Sequence, residues 1–318
     1  LEYMHPVQQE SLDPKRTFRF PVLLNPDRTD SNGFVSSMPR RSFFYPAPSS
    51  DNPGGWFSLL AVHEGRHMFQ LNAMNRNTLY VLEFLAGQTM FPWFAPFWWL
   101  EGDAVLSETL YTQTGRGRDP SFTAQFKALM LDGEKLNFDQ IYLGSKNRNL
   151  PNHYVLGYLM QTWMRTRKKA YAQAGLLSSY SLYPFPAFGG NYAIRKTVGA
   201  GEEKTYRAMA AEYSEFWKRQ VASLSITPVE VLGSRPGPFY TEYRFLTPMR
   251  DGKLAASRVE GLERAQLVLI DGHTESPLID AFPYNGFDSG SKLLGWDELV
   301  SDAKFDRSRF RIMLYDTE

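Results

Sequence analysis

Two histidines stand four residues apart in the segment His63-Glu64-Gly65-Arg66-His67, and a glutamate follows the first of them. Because an α-helix makes one turn in about 3.6 residues, both imidazoles lie on one face and can reach one ion at about 2.0–2.1 Å. Glu64 lies beside such an ion, where it can take a proton from a metal-activated water and pass it to a leaving amine. The spacing therefore predicts a zinc (Zn2+) site with hydrolytic chemistry.

The ligand set needs a third member. The alternative, a surface helix with two unrelated histidines, is less compatible with the apolar run at 56–62, since buried histidine and glutamate without a metal are energetically costly. Three of the five histidines, His5, His153 and His273, lie outside the motif, and we expect a carboxylate to be the third ligand. The strongest candidate lies within residues 98–108.

The segment Trp99-Leu100-Glu101-Gly102-Asp103-Ala104, followed by Glu108, resembles the second ligand helix of the gluzincin metallopeptidases. This group contains thermolysin and the aminopeptidase N-like enzymes, whose pattern has one more residue before the glutamate. The resemblance implies that Glu101 is the third zinc ligand and that Glu108 orients a ligand histidine. From the residues alone, a solvated helix charge is the alternative for Glu108.

A third match lies at Tyr154-Val155-Leu156-Gly157, which resembles the Tyr-x-x-Gly segment of aminopeptidase N-like enzymes. The resemblance implies that Tyr154 donates a hydrogen bond to the oxyanion of the tetrahedral intermediate. His153 competes for this role. Packing or capping at the start of an apolar helix is the alternative for both side chains.

These motifs predict a zinc metallopeptidase that hydrolyses peptide bonds, with Glu64 as general base and a peptide or protein as substrate. The chain lacks the Gly-x-Met-Glu-Asn segment with which aminopeptidase N-like enzymes hold a free amino terminus, so aminopeptidase activity is not implied. The alternative function is an inactive zincin-like binding or scaffold protein that acts through its β-rich region.

The residues before the zinc motif predict a small sheet. Segments 18–24 and 42–45 read as strands that flank a turn-rich connection, and we assign residues 41–45 to the edge along the substrate cleft. An ordinary structural hairpin is the alternative.

Between the two ligand helices, residues 78–86 have helical spacing. The segment 91–99 that follows is aromatic and contains prolines. It is expected to be core below the second ligand helix, a pocket lining or a membrane-interface loop.

Composition limits the possible partners and compartments. The 35 basic and 34 acidic side chains give a net charge near zero, which argues against nucleic acid. Two short basic segments, 115–118 and 165–169, read as a loop and a solvated helix end, although either could receive a substrate carboxylate. Cysteine is absent, and no run is long and apolar enough for a transmembrane segment. We expect an exported bacterial protein whose signal peptide has been removed.

The pattern changes from helical to strand-like near residue 223. Helical spacing dominates residues 152–220, whereas 240–245, 253–259, 266–271, 292–296 and 309–316 read as short strands. This region resembles blades of a TolB-like or WD40-like β-propeller, and it is expected to continue beyond residue 318 and to offer a surface for a protein partner. We therefore predict an α+β chain with a zincin-like domain at 1–226, which has a small N-terminal sheet, and antiparallel β structure at 227–318.

Overall fold

The fold is known from a computed structural model and has the predicted α+β class. The structure describes residues 3–12, 18–37, 39–49, 55–86, 95–145, 147–168, 171–185, 188–230, 232, 239–249, 251–260, 264–290 and 293–317. Two compact units are present. The first contains residues 1–25, 31–144 and 150–224, and the second contains residues 26–30, 145–149 and 225–318.

Helices form most of the first unit. They are α1 His5–Leu12, α2 Trp56–Met74, α3 Asn77–Ala86, α4 Phe97–Tyr111, α5 Pro120–Leu131, α6 Phe138–Leu143, α7 His153–Arg167, α8 Ala172–Leu182, α9 Gly189–Val198 and α10 Glu202–Ala222, with a 3-10 turn at Arg116–Arg118. The helical predictions for 78–86 and 152–220 are confirmed. Within the described residues, no helix is long and apolar enough to cross a membrane.

A three-stranded sheet precedes α2. Its strands are β1 Val22–Leu24, β2 Asn32–Ser37 and β3 Arg40–Tyr45, in the spatial order β1-β3-β2. The assignment of residues 41–45 to the cleft edge is wrong, because β3 is the central strand and β2 lies at the edge. β2 and β3 form an antiparallel hairpin. The sequence pattern did not predict β2, because four of its six residues, Asn32, Gly33, Ser36 and Ser37, have little preference for strands.

The core of the first unit lies beneath α2, α4 and α7. Trp98 and Trp99 on α4 are fully buried, so these two rings are core residues and not membrane anchors. The neighbouring residues 91–94 of the predicted aromatic segment lie outside the described part of the chain.

The helices α4 and α7 cross at very close distance. A Cβ added to Gly157 would lie 2.2 Å from the carbonyl oxygen of Trp98, and one added to Gly102 would lie 2.1 Å from the carbonyl carbon of Gly157. Only glycine permits this approach.

The second unit is built from antiparallel sheets. One contains β4 Thr241–Pro248, β5 Leu254–Glu260, β6 Gln266–Asp271 and β7 Thr274–Asp280 in sequence order, and the other contains β8 Phe287–Ser289, β9 Leu293–Asp302 and β10 Arg307–Asp316. The five predicted strands are confirmed. The sequence missed β7, which contains a proline and is mostly exposed, and β8, which has three residues. The up-and-down order of the four-stranded sheet is compatible with a propeller blade.

Candidate metal centre

Three side chains from two helices meet at one point. Nε2 of His63 lies 3.2 Å from Nε2 of His67 and 3.2 Å from Oε2 of Glu101, and Nε2 of His67 lies 3.3 Å from the same carboxylate oxygen. Ligand atoms of a tetrahedral zinc ion with bonds of about 2.0–2.1 Å stand about 3.3 Å apart. The three atoms are therefore spaced as three corners of such a tetrahedron. Among the described residues, they form one group that could hold a metal ion.

Helix α2 brings the two histidines into a buried setting. Thirteen of its nineteen residues are buried, including Leu59, Leu60 and Val62 directly before the motif, so the helix cannot be the exposed one of the alternative interpretation. The helix begins after Gly55 and ends at Met74. Its i and i+4 positions present both histidine rings to the same cavity, as the spacing predicted.

Glu64 lies beside the cluster without joining it. The side chain is buried, and its Oε2 atom has no hydrogen-bond partner among the described residues. Burial raises the pKa of this carboxyl group, since the charged form loses hydration. An oxygen in this setting can accept a hydrogen bond from a bound water or polar ligand, and the cavity that Glu64 lines provides the space for one.

Charge is strongly coupled within the cluster. Burial raises the pKa of Glu101, but the two histidines outweigh it and hold that pKa far below its usual range. Burial lowers the pKa of His67, whereas the carboxylates of Glu101 and Glu64 raise it to about 9. Without a cation the histidines would thus carry protons next to Glu101. A metal ion would replace those protons, because it binds neutral imidazole and ionised carboxylate.

Glu108 occupies the position that the resemblance implied. Its Oε2 atom lies 3.0 Å from Nδ1 of His63, and the side chain is completely buried. Burial raises the pKa of Glu108, but hydrogen bonds with His63 and Arg116 lower it to about 2, so the group is ionised. The arrangement fixes Nδ1–H of His63 as the donor to Glu108 and leaves the Nε2 lone pair for a metal. A solvated helix charge is excluded by the burial.

A second support, which the sequence did not predict, holds His67. Nδ1 of His67 lies 2.8 Å from Oε1 of Gln70, whose Nε2 donates to the carbonyl of Leu100 at 3.0 Å and to Oδ2 of Asp103 at 2.8 Å. These two acceptors fix the orientation of the amide, so Oε1 must accept from Nδ1–H of His67. Asp103 in turn accepts two hydrogen bonds from Arg66, at 2.5 and 2.9 Å.

The only sequence signal for this support was the charge of Arg66 and Asp103 inside apolar helices. Arg66 is the fourth residue of the histidine motif and is 3% exposed, and Asp103 is equally buried. Charged side chains are almost never buried without a partner, so their positions required a buried pair. The sequence did not say that the partners were each other or that Gln70 joined them to His67.

Tyr154 and His153 occupy different places. The Tyr154 ring stacks near His63, with 6.4 Å between ring centroids, and the tyrosine lines both cavities that adjoin the cluster. His153 packs against Tyr154 and Phe97 and is not among the described residues that line either cavity. The N-cap of α7 is Asn152, whose Oδ1 accepts from the backbone N–H of Tyr154, so neither side chain serves as the cap.

Electrostatics also separates the two candidates. Burial and the neighbouring Glu101 carboxylate raise the pKa of Tyr154, so its hydroxyl keeps its proton and can donate it in a hydrogen bond. Burial lowers the pKa of His153, which favours the neutral ring. Helices α4 and α7 cross at Gly102 and Gly157. Glu101 is the neighbour of Gly102 on α4, and Tyr154 lies about one helical turn before Gly157 on α7. Close helix packing thus brings the tyrosine to the cluster.

Two cavities adjoin the cluster. The first has a volume of about 210 Å³ and is mainly apolar, and the second has about 670 Å³ and is more polar. His63, Glu64 and Tyr154 line both. The apolar wall of the first consists of Phe34, Val35, Leu71, Met74, Phe97 and Leu100.

Comparisons with protein-family models, curated proteins and solved structures found no match to this chain.

Proposed function

We propose that this chain is a zinc-dependent peptidase with a gluzincin-type ligand set of His63, His67 and Glu101. The observation that carries the proposal is the tetrahedral spacing of these three donor atoms next to the partnerless carboxylate oxygen of Glu64. Two imidazoles and one carboxylate match the ligands of catalytic zinc sites, which leave a position open for water or substrate. A structural zinc site would have four protein ligands and no need for the buried base.

The reaction supported by these residues is hydrolysis of an amide bond. Zinc at this site would supply Lewis acidity. Glu64 takes a proton from the attacking water, whose oxygen forms the new bond to the carbonyl carbon. Tyr154 donates a hydrogen bond to the carbonyl oxygen as it gains negative charge, and this role suits it better than His153 because it faces the cavity. The carbon–nitrogen bond then breaks, and Glu64 passes its proton to the leaving nitrogen.

The open edge of β2 supports a peptide as the substrate. Ser42 and Phe44 direct backbone groups towards β1, since Ser42 N–H donates to Pro21 and the Phe44 carbonyl accepts from Asn25. The intervening residues of β3 therefore bond with β2, so the backbone groups of Gly33 and Val35 point away from β3, towards the side of β2 on which no described strand lies. The N–H of Gly33 donates to Oδ1 of Asn32 at 2.8 Å, so a peptide would bond with the carbonyl of Gly33 and with Val35. Both residues line the apolar cavity. An extended peptide can pair with such an edge and place one apolar side chain in the cavity.

The test combines metal content with hydrolysis. Wild type is expected to contain about one zinc per chain by plasma mass spectrometry, and His63→Ala should lose it. Glu64→Gln should retain the metal but lose cleavage of a peptide library, because glutamine cannot accept the proton. Glu215→Gln, which changes an exposed glutamate of α10 paired with Lys218, is the matched control and should keep both properties.

The outcomes separate the two candidate functions. Unchanged cleavage in Glu64→Gln would remove the general base from the proposal. Bound zinc in wild type without cleavage of any library peptide would favour the alternative, a binding protein with a zincin-like site. Absence of metal binding, even after incubation with zinc, would contradict the peptidase and favour a binding or scaffold protein that acts through its β-rich region.

A further inference from the structure

The basic segment at 115–118 packs against the helix that carries the carboxylate ligand. A Cβ added to Gly115 would lie 2.5 Å from the carbonyl oxygen of Glu108, and one added to Gly117 would lie 2.4 Å from the hydroxyl oxygen of Tyr158. The N–H of Gly117 donates to Oγ1 of Thr109 at 3.0 Å. The two glycines therefore let the backbone approach α4, and they hold Arg116 between them at Glu108.

Arg116 grips the Glu108 carboxylate with three donors. Its Nε atom lies 2.7 Å from Oε1 of Glu108, its backbone N–H lies 3.0 Å from the same oxygen, and its Nη2 atom lies 3.1 Å from Oε2. This fork fixes both the position and the plane of the carboxylate. Oε2 is the atom that accepts from His63, so the orientation of the carboxylate sets the orientation of the imidazole.

The same guanidinium contacts two further groups of the site. Nη2 of Arg116 lies 3.0 Å from Nδ1 of His63, and Cζ lies 5.0 Å from the centre of the Tyr154 ring, within the range of a cation–π interaction. Because Nδ1–H of His63 donates to Glu108 and a guanidinium can only donate, the approach of Nη2 to Nδ1 is not a hydrogen bond. Arg116 therefore acts on His63 through the Glu108 carboxylate and contacts the tyrosine directly. None of these contacts reaches the three donor atoms of the cluster.

We infer that Arg116 is a positioning residue of the metal site, which orients His63 through Glu108 and holds the ring of Tyr154 next to it. The inference rests on the proposed metal site and deepens it, because it assigns a role to the Gly-Arg-Gly segment. Partners that orient a metal ligand typically change metal affinity by about 10–100-fold when they are removed.

The test measures affinity for the metal alone. Competition titrations with a chelator would compare zinc binding by wild type, Arg116→Ala, Glu108→Gln and the double variant. Each single variant is expected to bind zinc about 10–100-fold more weakly. The double variant should bind zinc only slightly more weakly than the weaker-binding of the two single variants. Both substitutions interrupt the same hydrogen-bonded connection from Arg116 through Glu108 to His63. The visible spectrum of the cobalt-substituted protein, which reports ligand geometry, should change in Arg116→Ala.

Two further variants keep the inference falsifiable. Arg118→Ala changes the neighbouring arginine, whose Nε donates to the carbonyl of Thr112, and should leave zinc affinity at the wild-type value. Arg116→Lys keeps the charge without the fork and should give an intermediate loss, and it replaces the alanine variant if circular dichroism shows that Arg116→Ala does not fold.

The outcomes are distinct from those of the peptidase test. Wild-type zinc affinity and an unchanged cobalt spectrum in Arg116→Ala, or additive losses in the double variant, would overturn the inference and leave the peptidase proposal intact. A protein that binds zinc with the expected Arg116 dependence but cleaves no peptide would support the inference and contradict the peptidase. A wild type that binds no metal would overturn both.

Discussion

The two histidines of the cluster are supported by networks of different character. His63 is oriented by the carboxylate of Glu108, which Arg116 holds from the side of the larger cavity. His67 is oriented by the neutral amide of Gln70, which the buried pair of Asp103 and Arg66 holds from within the helical core. The side chain of Arg116 is 37% exposed, whereas that of Arg66 is 3% exposed.

The two supports therefore differ in how much each contributes to the stability of the fold. The support of His67 also ties α2 to α1 and α4, since Arg66 donates to Gln8 and Ser11 as well as to Asp103. Damage there removes contacts between helices. The support of His63 joins α4 to a surface turn. A substitution in this support should change the orientation of the histidine ring with less effect on the packing of the core.

The largest effect is expected for Arg66→Met. The change leaves Asp103 as a buried carboxylate without its cation, and removal of one partner of a buried pair typically costs about 3–5 kcal/mol in the free energy of unfolding. Urea denaturation of the metal-free protein would measure this loss. Arg167→Met, which breaks an exposed arginine–glutamate pair with Glu212, is the control and should leave the transition near its wild-type position. Equal effects of the two changes would contradict the structural role of Arg66.

A smaller effect, on metal affinity, is expected for Gln70→Leu. The variant removes the acceptor of Nδ1–H of His67 but keeps similar volume, and zinc affinity should fall by about 10–100-fold. Chelator competition would measure this change beside that of Glu108→Gln. If the two networks act separately, the losses of binding free energy caused by Gln70→Leu and by Glu108→Gln should add in the variant that carries both changes. A loss no greater than that of one single variant would show that the supports are coupled.

The helix crossing between α4 and α7 gives the next prediction. Gly157→Ala should destabilise the first unit by about 1–3 kcal/mol, because the new methyl group overlaps the carbonyl oxygen of Trp98. Chemical denaturation would measure the loss. Gly290→Ala, whose added carbon would meet its nearest neighbour at 3.6 Å, is the matched control and should behave like wild type. Tolerance of alanine at position 157 would contradict the close crossing.

The smallest effect is expected at Asp30 in the second unit. Its carboxylate accepts from Arg28 at 2.7 and 2.8 Å and from Ser308 at 2.8 Å. Burial raises its pKa, but these hydrogen bonds lower it more, so the pKa lies below its ordinary value of 3.8. Asp30→Asn should therefore cost about 1 kcal/mol at neutral pH. The difference from wild type should shrink as the pH falls through that lowered pKa, since the stabilisation requires the ionised form.

Denaturation at several pH values would measure this effect, and zinc affinity provides a second reading. Asp30 belongs to neither support, so Asp30→Asn should bind zinc as wild type does. A changed zinc affinity would contradict the assignment of the two histidine supports to the residues named above.

Sequence patterns predicted the elements more fully than the contacts. The helical stretches and five strands of the second unit followed from periodicity. The resemblance pointed to Glu101 and Glu108, and the structure places their carboxylates 3.2 and 3.0 Å from His63. The cleft edge was assigned to residues 41–45 because the actual edge strand, β2, was not predicted, and the structure shows β3 in the centre of the sheet. Gln70 was missed because a neutral amide carries no metal-specific pattern. Whether Tyr154 or His153 faces the cluster was also open until the packing of α7 was known.

The sequence by itself determined what lies within one helix. The spacing of His63 and His67 places both rings on one face whatever surrounds the helix, because the backbone geometry of the helix is local. Only the tertiary structure decided what meets those rings. Glu101 and Glu108 reach His63 from 38 and 45 residues away. The positions of these two carboxylates depend on how the helices pack. That packing is set by the fit of many side chains and by close glycine contacts across the core.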